Sequence, residues 1–325
     1  MTRDSHGLWA MSCYFNPAAY QRRIANYRAF RKHLTAPLVT VELSFDGRFE
    51  LRDADADVLV QIHGGSILWQ KERLLNIALT RVPSACGKVA WIDCDVIFAS
   101  DDWAARAVDA LEEFDLIHLF DEVQYLPRDA EPDRRFPLDP GATARSAVHK
   151  WVGGEAAPED LCLANSPLER RSTTGLAWAV ARPVLETHGF YDACVLGSGA
   201  RVMTCAALGE FAYGQRASLM NARQADHYLR WAQPFYGTVR DRVGYIEGRL
   251  LHLWDGERIE RRYGARHQDL QRFAFDPFTD IAPDPNGCWR WNTEKPEMHA
   301  FVKQYFRARN EDGLPTEARL ASVRR

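Results

Sequence analysis

Residues 88–98, KVAWIDCDVIF, set two carboxylates, Asp93 and Asp95, between two apolar runs. Val89 to Ile92 reads as a buried central strand, and Val96 to Phe98 resumes the apolar character at once. A carboxylate held between such flanks is costly to desolvate unless a cation or hydrogen-bond donors compensate it. At the carboxyl end of a strand it lies where open α/β sheets bind ligands. An Asp-x-Asp placed there can hold a hard divalent cation, and the cation can hold a diphosphate. Most such pairs in proteins are turns or solvated loop starts, so the surroundings decide.

Those surroundings alternate. Leu8 to Tyr14 reads as a strand, and Asn16 with Pro17 opens a helix from Ala18 to His33 that carries Tyr20, Ile24, Tyr27 and Phe30 on one side. Pro37 to Leu43 is a second strand. Arg48 to Leu51 and Val58 to Ile62 read as two short strands around the acidic turn Asp53 to Asp57. Gly64 and Gly65 break the chain, and Ser66 is placed to cap a helix from Ile67 to Arg81. Its core face would hold Ile67, Leu74, Ile77 and Ala78. Trp69, Glu72 and Asn76 share another face, either solvated or lining a nucleotide pocket. Pro83 ends this helix ahead of the Asp-x-Asp strand. Asp101 and Asp102 are placed to cap a helix through Leu111, and Leu116 to Phe120 is another strand. The expected fold class is α/β, a mostly parallel sheet flanked by helices.

From 121 to 171 the rhythm fails. Six prolines, at 127, 132, 137, 140, 158 and 167, punctuate a polar segment that reads as a long acceptor-side loop or lid. Trp151, beside Gly153 and Gly154, is its expected contact. Ser172 to Val180 returns to strand. Gly175 there can permit close backbone approach to a ligand; Trp178 can offer an aromatic platform, although core packing is the commoner fate. Pro183 to Thr187 reads as a short helix. Gly197, Ser198 and Gly199 lead into a helix, Ala200 to Leu208, whose amino end can receive a phosphate or a sugar hydroxyl. Ala225 to Trp231 is helical. Tyr245 to Trp254 is the last strand and carries His252, a residue type that in such a setting is ordinarily a satisfied core histidine. Arg261, Arg262 and Tyr263 follow closely enough to contact phosphate. Beyond Asp276 come Pro/Asp/Asn-rich sequence, a helix from Lys295 to Arg309 and an expected loose tail from Glu311 to Arg325. The expected division is a nucleotide-binding catalytic domain, 1–275, and a C-terminal helical extension, 276–325.

The 325 residues, 46% hydrophobic with ten Trp, suffice for a sizeable core. A net charge of −3 gives no global electrostatic case for nucleic acid or an anionic membrane. The seven Cys are odd in number and show no Cys-x-x-Cys spacing, which fits a reducing compartment. The amino-terminal residues lack an apolar signal core, and no run approaches the roughly 20 apolar residues of a membrane span. A cytoplasmic protein is the expectation.

Three segments in order carry a resemblance: Trp69 to Asn76; Trp91 to Asp95; and Thr174 to Arg182 with Gly189 to Asp192. Together they resemble GT-A glycosyltransferases, most closely the branch of the β-1,4-galactosyltransferases and the polypeptide N-acetylgalactosaminyltransferase catalytic domains. The resemblance implies a GT-A (Rossmann-like) sheet, a nucleotide-sugar donor, commonly a UDP-sugar, and Mn²⁺ or Mg²⁺. By position, Asp95 would bind the metal, Asp93 the ribose or the metal shell, and His252 would be the partner ligand. Lys71, Glu72 and Asn76 would line the nucleotide side, and Gly197, Ser198 and Gly199 would lie against the transferred sugar. Asn16, Trp69, Gly175, Trp178 and Arg262 complete the candidate donor contacts. The family pattern puts a carboxylate base at the start of the helix after the glycines, where this chain has Ala200. Either the base has been replaced to trap substrate, or Asp192 substitutes, or the protein binds without catalysis. The leading expectation is an inverting, metal-dependent glycosyltransferase; the alternative is a catalytically silent nucleotide-sugar-binding protein. A nucleotidyltransferase ranks lower, because Tyr14 to Ala18 is not a Gly-rich basic phosphate loop. The acceptor stays open among a saccharide, a lipid-linked sugar, a protein and a hydroxylated DNA base.

Overall fold

A computed structural model describes residues 7–155 and 172–315. In chain order the strands and helices are β1 (Leu8–Phe15), α1 (Gln21–His33), β2 (Leu38–Ser44), β3 (Val58–His63), α2 (Lys71–Leu79), β4 (Lys88–Ile92), β5 (Val96–Phe98), α3 (Trp103–Glu113), β6 (Leu116–His118), β7 (Glu122–Tyr125), β8 (Thr143–Ser146) and α4 (Ala147–Val152). After the undescribed stretch come β9 (Ser172–Thr173), β10 (Ala177–Ala181), α5 (Arg182–His188), α6 (Gly199–Ala207), α7 (Phe211–Ala217), α8 (Ala222–Val239), β11 (Val243–Tyr245), β12 (Arg249–His252), α9 (Ala265–Gln271), β13 (Ile281–Pro283), β14 (Trp289–Trp291) and α10 (Pro296–Ala308).

The main sheet has seven strands in the order β11-β6-β10-β4-β1-β2-β3. All run parallel except β10, which is antiparallel to both its neighbours. This is the α/β class expected. Period-two alternation divides the core. Met11, Val39, Val89, Trp91, Trp178 and Val180 face α2, α8 and α10. Ala10, Leu38, Ala90, Ile92, Ala177 and Ala179 face α1 and α3. A second sheet, β5-β12-β7-β8-β9, packs beside the first.

The Asp-x-Asp stretch joins the two sheets. β4 ends at Ile92 in the main sheet, and β5 begins at Val96 in the second. Asp93, Cys94 and Asp95 form the crossing. The backbone N–H of Asp93 donates to Leu176 O at 2.7 Å, and that of Leu253 to Asp95 O at 2.8 Å.

Several expectations fail for local reasons. Arg48 to Leu51 is not a strand: the buried Glu42 carboxylate accepts the N–H groups of Glu50 and Leu51, at 2.6 and 3.2 Å, in place of a ladder. Ser66 does not cap α2, which starts at Lys71; its hydroxyl accepts the Trp291 N–H at 3.0 Å. Asp102 precedes α3 but spends its carboxylate on Ser100 Oγ at 2.6 Å. The segment from 121 is not structureless, since β7, β8 and α4 lie in it, and Trp151 sits within α4; residues 156–171 are outside the described part. The last strand divides into β11 and β12 around Gly248, whose φ of +147° favours glycine. A β13–β14 hairpin, unforeseen, is tied down by Gln70, whose side chain bonds the backbone N–H and carbonyl of Trp289 at 3.0 and 2.7 Å.

The expected loose tail is anchored where it begins. Glu311, 2% exposed, accepts from Arg23 at 2.6 Å, Arg309 at 2.6 Å and Arg261 at 3.1 Å. Burial alone would raise this carboxyl, but the Arg23, Arg309 and Arg261 guanidiniums hold it well below the carboxylate range. A carboxyl whose pKa is depressed on folding adds stability above its unfolded pKa and loses it as pH falls. Glu311→Gln is therefore expected to cost about 3 kcal/mol near neutral pH in urea unfolding. The difference from wild type should shrink as the buffer is acidified.

Candidate functional site

Where β4, β1 and β12 end, a cavity of about 440 Å³ opens between the two sheets and the start of α6. Its acidic end is built by the sheet crossing. Asp95 leaves the crossing, His252 closes β12, and Asp255 follows on the next turn. One side-chain ligand atom from each of the three lies within 4.8 Å of the others. His252 Nε2 is 4.0 Å from Asp95 Oδ2. Asp95 Oδ1 is buried with no hydrogen-bond partner. Burial raises the Asp95 carboxyl to about 6; His252 opposes this, and Asp255 and Asp93 add to it. An orphaned buried carboxylate oxygen beside an imidazole and a second carboxylate is a donor set that fits a divalent cation.

Asp93 has another partner. It pairs with Lys71 Nζ, also on the cavity. Burial alone would lower the Lys71 amine, but Asp93 and then Glu72 outweigh it, so the amine stays charged. The structure thus sets Asp93 in an ion pair and Asp95 in the cluster with His252 and Asp255.

The cavity is also lined by cations, one of which, Arg261, pairs with Asp255 of the cluster. Arg23, Arg201, Arg258, Arg261, Arg266 and Arg309 all line it. Aromatic rings carry this wall from the acidic end to α6. The Tyr125 ring lies 5.1 Å from that of His252, and Arg258 sits over both Tyr125 and Tyr263 at 5.3 and 5.6 Å. Arg266 sits over Tyr263 at 5.1 Å. Trp69 stacks on Phe306 and closes against Gly197, where an added Cβ would come within 3.3 Å of its ring. Gly197 has φ +81°, so glycine is required there twice over.

Of the residues singled out from sequence, Trp69, Lys71, Glu72, Asp93, Asp95, Gly175, Gly197, Ser198, Gly199, Ala200 and His252 line this cavity. Five others are placed elsewhere. Asn16 is a turn residue, accepting the Tyr20 N–H at 2.9 Å and donating to Glu50 at 3.0 Å. Asn76 is turned to the loop after α5, where it accepts the Phe190 N–H at 2.7 Å and donates to Asp192 at 3.0 Å. Asp192, the suggested substitute base, is held there by Asn76 and by Arg73 at 3.3 Å, away from the cavity. Trp178 is core, stacked on Trp91 with centroids 5.9 Å apart. Arg262 pairs with Asp269 at 2.7 Å. Sequence reasoning passed over Asp255, Arg258 and Arg266. Asp255, three residues after His252, was the detectable one.

Gly175 is positioned by a buried histidine. His118 bonds Ser146 Oγ at 2.6 Å and Gly175 O at 2.9 Å. Burial lowers its pKa to about 3, so the imidazole is neutral, and the nitrogen facing the carbonyl carries the proton.

No family model and no curated protein matches the chain. Among solved structures it is similar to a homologue of Mycobacterium tuberculosis rv0371c from Mycobacterium sp. strain JC1, at 13% identity and TM-score 0.26, over 37% of this chain and 65% of that one. It is also similar to a 4-diphosphocytidyl-2C-methyl-D-erythritol synthase from Anaerococcus prevotii, at 11% identity and TM-score 0.30, over 75% of this chain and 88% of that one. At such superposition neither likeness bears on what this chain does. Among the described residues no helix is long and apolar enough to cross a membrane.

The burial of His118 sets a pH dependence. An unfolded histidine takes its proton near 6.5 and this one only near 3, so the unfolded state binds more protons in between. Its contribution is complete above the unfolded value and is lost as pH falls, by up to about 1.4 kcal/mol per pH unit. His118→Gln is expected to flatten the fall of the urea midpoint below neutrality, measured at several acidic pH values.

Proposed function

We propose that the chain is a metal-dependent glycosyltransferase that takes a nucleotide-diphosphate sugar, with UDP-sugars first in line. The observation that carries this is the pairing, in one cavity, of the Asp95–His252–Asp255 cluster with a wall of six arginines. A nucleoside diphosphate with a divalent cation matches both ends, the cation on the carboxylates and the phosphate oxygens on the guanidiniums. Mn²⁺ or Mg²⁺ bound by Asp95, His252 and Asp255 would supply Lewis-acid stabilisation of the charge that grows on the departing diphosphate.

The chain's own groups do the rest of the binding. Lys71, kept charged by Asp93, adds a cation beside the crossing. Trp69 gives a flat wall, and the Gly197–Gly199 turn lets backbone approach the sugar closely. Arg258, stacked over Tyr125 and Tyr263, and Arg261, paired with Asp255 and Glu311, add further positive charge to the cavity lining.

Ala200 supports a second reading, a protein that binds the donor without turning it over. It lies in the first turn of α6, lines the cavity and has no proton acceptor, and its Cβ is 3.4 Å from where a Gly175 Cβ would stand. Donor turnover with water or an added acceptor separates the two readings.

Melting temperatures with UDP, GDP, CDP, ADP and TDP, each with Mn²⁺, Mg²⁺ or EDTA, test the binding reading. One diphosphate is expected to stabilise the protein only with metal. Asp95→Asn and His252→Ala should each abolish that metal-dependent shift while the protein stays folded. An unchanged shift in both variants would remove the cluster from the site. In the glycosyltransferase reading, Ala200→Asp restores a base and raises transfer by about 10² or more. Single-turnover assays with the stabilising donor measure it.

A further inference from the structure

We propose that the α6 end of the cavity is a second oxyanion site, which takes a carboxylate or phosphate borne by the sugar or the acceptor rather than the donor's diphosphate. The inference rests on the same cavity holding a nucleotide-sugar donor, as proposed above. Its ground is an imbalance of charge within the arginine wall. Arg23 and Arg309 have the Glu311 carboxylate, and Arg261 has both Glu311 and Asp255. Arg266 has none among the described residues. It is 4% exposed, donates Nη2 to Ser198 Oγ at 2.8 Å and Nη1 to the Tyr305 hydroxyl, and leaves Nε without a partner. Burying a guanidinium on hydroxyls alone is costly, and an anion from the ligand relieves that cost.

Three further features meet Arg266 at this place. Arg201, in the first turn of α6, also lines the cavity; it donates Nη1 to a carbonyl, Ala217 O at 3.1 Å, and has no carboxylate partner among the described residues. α6 itself starts at Gly199 with no acidic residue in its first turn and no side-chain cap, so its leading N–H groups face the turn. Ser198, held by Arg266 and by His267 Nε2 at 2.8 Å, offers a fixed hydroxyl. Burial, then Arg266 and Arg201, push His267 well below its ordinary pKa, so it is a neutral partner here. A carboxylate packed on this turn is that of Glu72, whose Oε1 would lie 2.2 Å from a Cβ on Gly199. It forms no ion pair with either arginine, and burial raises its pKa to about 7.

The site is separable from the metal-dependent one because its anion needs no cation. The test is a melting-temperature titration in EDTA with inorganic phosphate and with glucuronate, up to tens of millimolar, against chloride at matched ionic strength. Wild type and Asp95→Asn are both expected to show a saturable rise. Arg201→Gln, at a half-buried position, and Arg266→Lys should each raise the half-saturating concentration by about tenfold, the loss of one charge-assisted bond. A stronger response to phosphate indicates a phosphorylated acceptor, and a stronger response to glucuronate an acidic sugar. No saturable rise with either anion, or a rise that both arginine variants leave unchanged, would overturn the second site. Metal-dependent stabilisation by a nucleoside diphosphate would survive that outcome, so the two proposals fail separately.

Discussion

The hydrogen bond from the Asp93 amide to the Leu176 carbonyl is the last rung between β4 and β10. On the other side of β4, Ser12 Oγ holds the Ile92 carbonyl at 2.8 Å. Beyond these two contacts the chain cannot continue as the same strand, because Asp93 and Asp95 cannot be buried on both faces of a sheet without partners. The chain crosses instead into the second sheet, where Val96 to Phe98 pairs with β12. That pairing brings His252 opposite Val96, two residues on from it comes Trp254, and Asp255 follows. The acidic cluster is thus a consequence of where one strand must stop and which strand receives it.

The cationic wall depends on the end of the chain. Arg23 comes from α1, Arg261 and Arg266 from the region around α9, and Arg309 follows α10. Glu311 gathers three of them around one carboxylate. Like charges so close repel strongly in a poorly hydrated interior. The single buried acid lets them converge, and Asp255 shares Arg261 with it. Through Arg261 the acidic cluster and the arginine wall are one network, so geometry at one end is felt at the other.

Much of the fold was legible because strands and amphipathic helices repeat over short distances. The apolar runs in 89–92 and 176–180, and the spacing of Ile24, Tyr27 and Phe30, required no knowledge of distant residues. What failed was settled by partners far along the chain. Asn76 looked like a pocket residue on its helix face, but its partners Phe190 and Asp192 lie 114 and 116 positions away. Ser66 looked like a cap until Trp291 claimed its hydroxyl. Arg48 to Leu51 looked like a strand until Glu42 took its amides. The cavity residues Asp95, His252 and Gly197–Gly199 were readable because motif order singled them out. Arg258 and Arg266 lay in a stretch with many arginines, and nothing local marks which of them turn inward.

The charge pattern of the cavity also limits what can occupy it. A neutral sugar alone would leave Asp95 Oδ1 and Arg266 uncompensated at opposite ends. A simple cation would serve the first and aggravate the second, and a simple anion the reverse. A ligand that brings a cation to Asp95 and negative charge along the wall serves both, and a metal-chelated diphosphate is the common chemistry of that kind. Ala200 then has a definite consequence. It offers no carboxylate in the first turn of α6, so Arg201 and Arg266 beside that turn are not offset from there. A side chain with no proton acceptor at this position therefore leaves the same spot open to an anion.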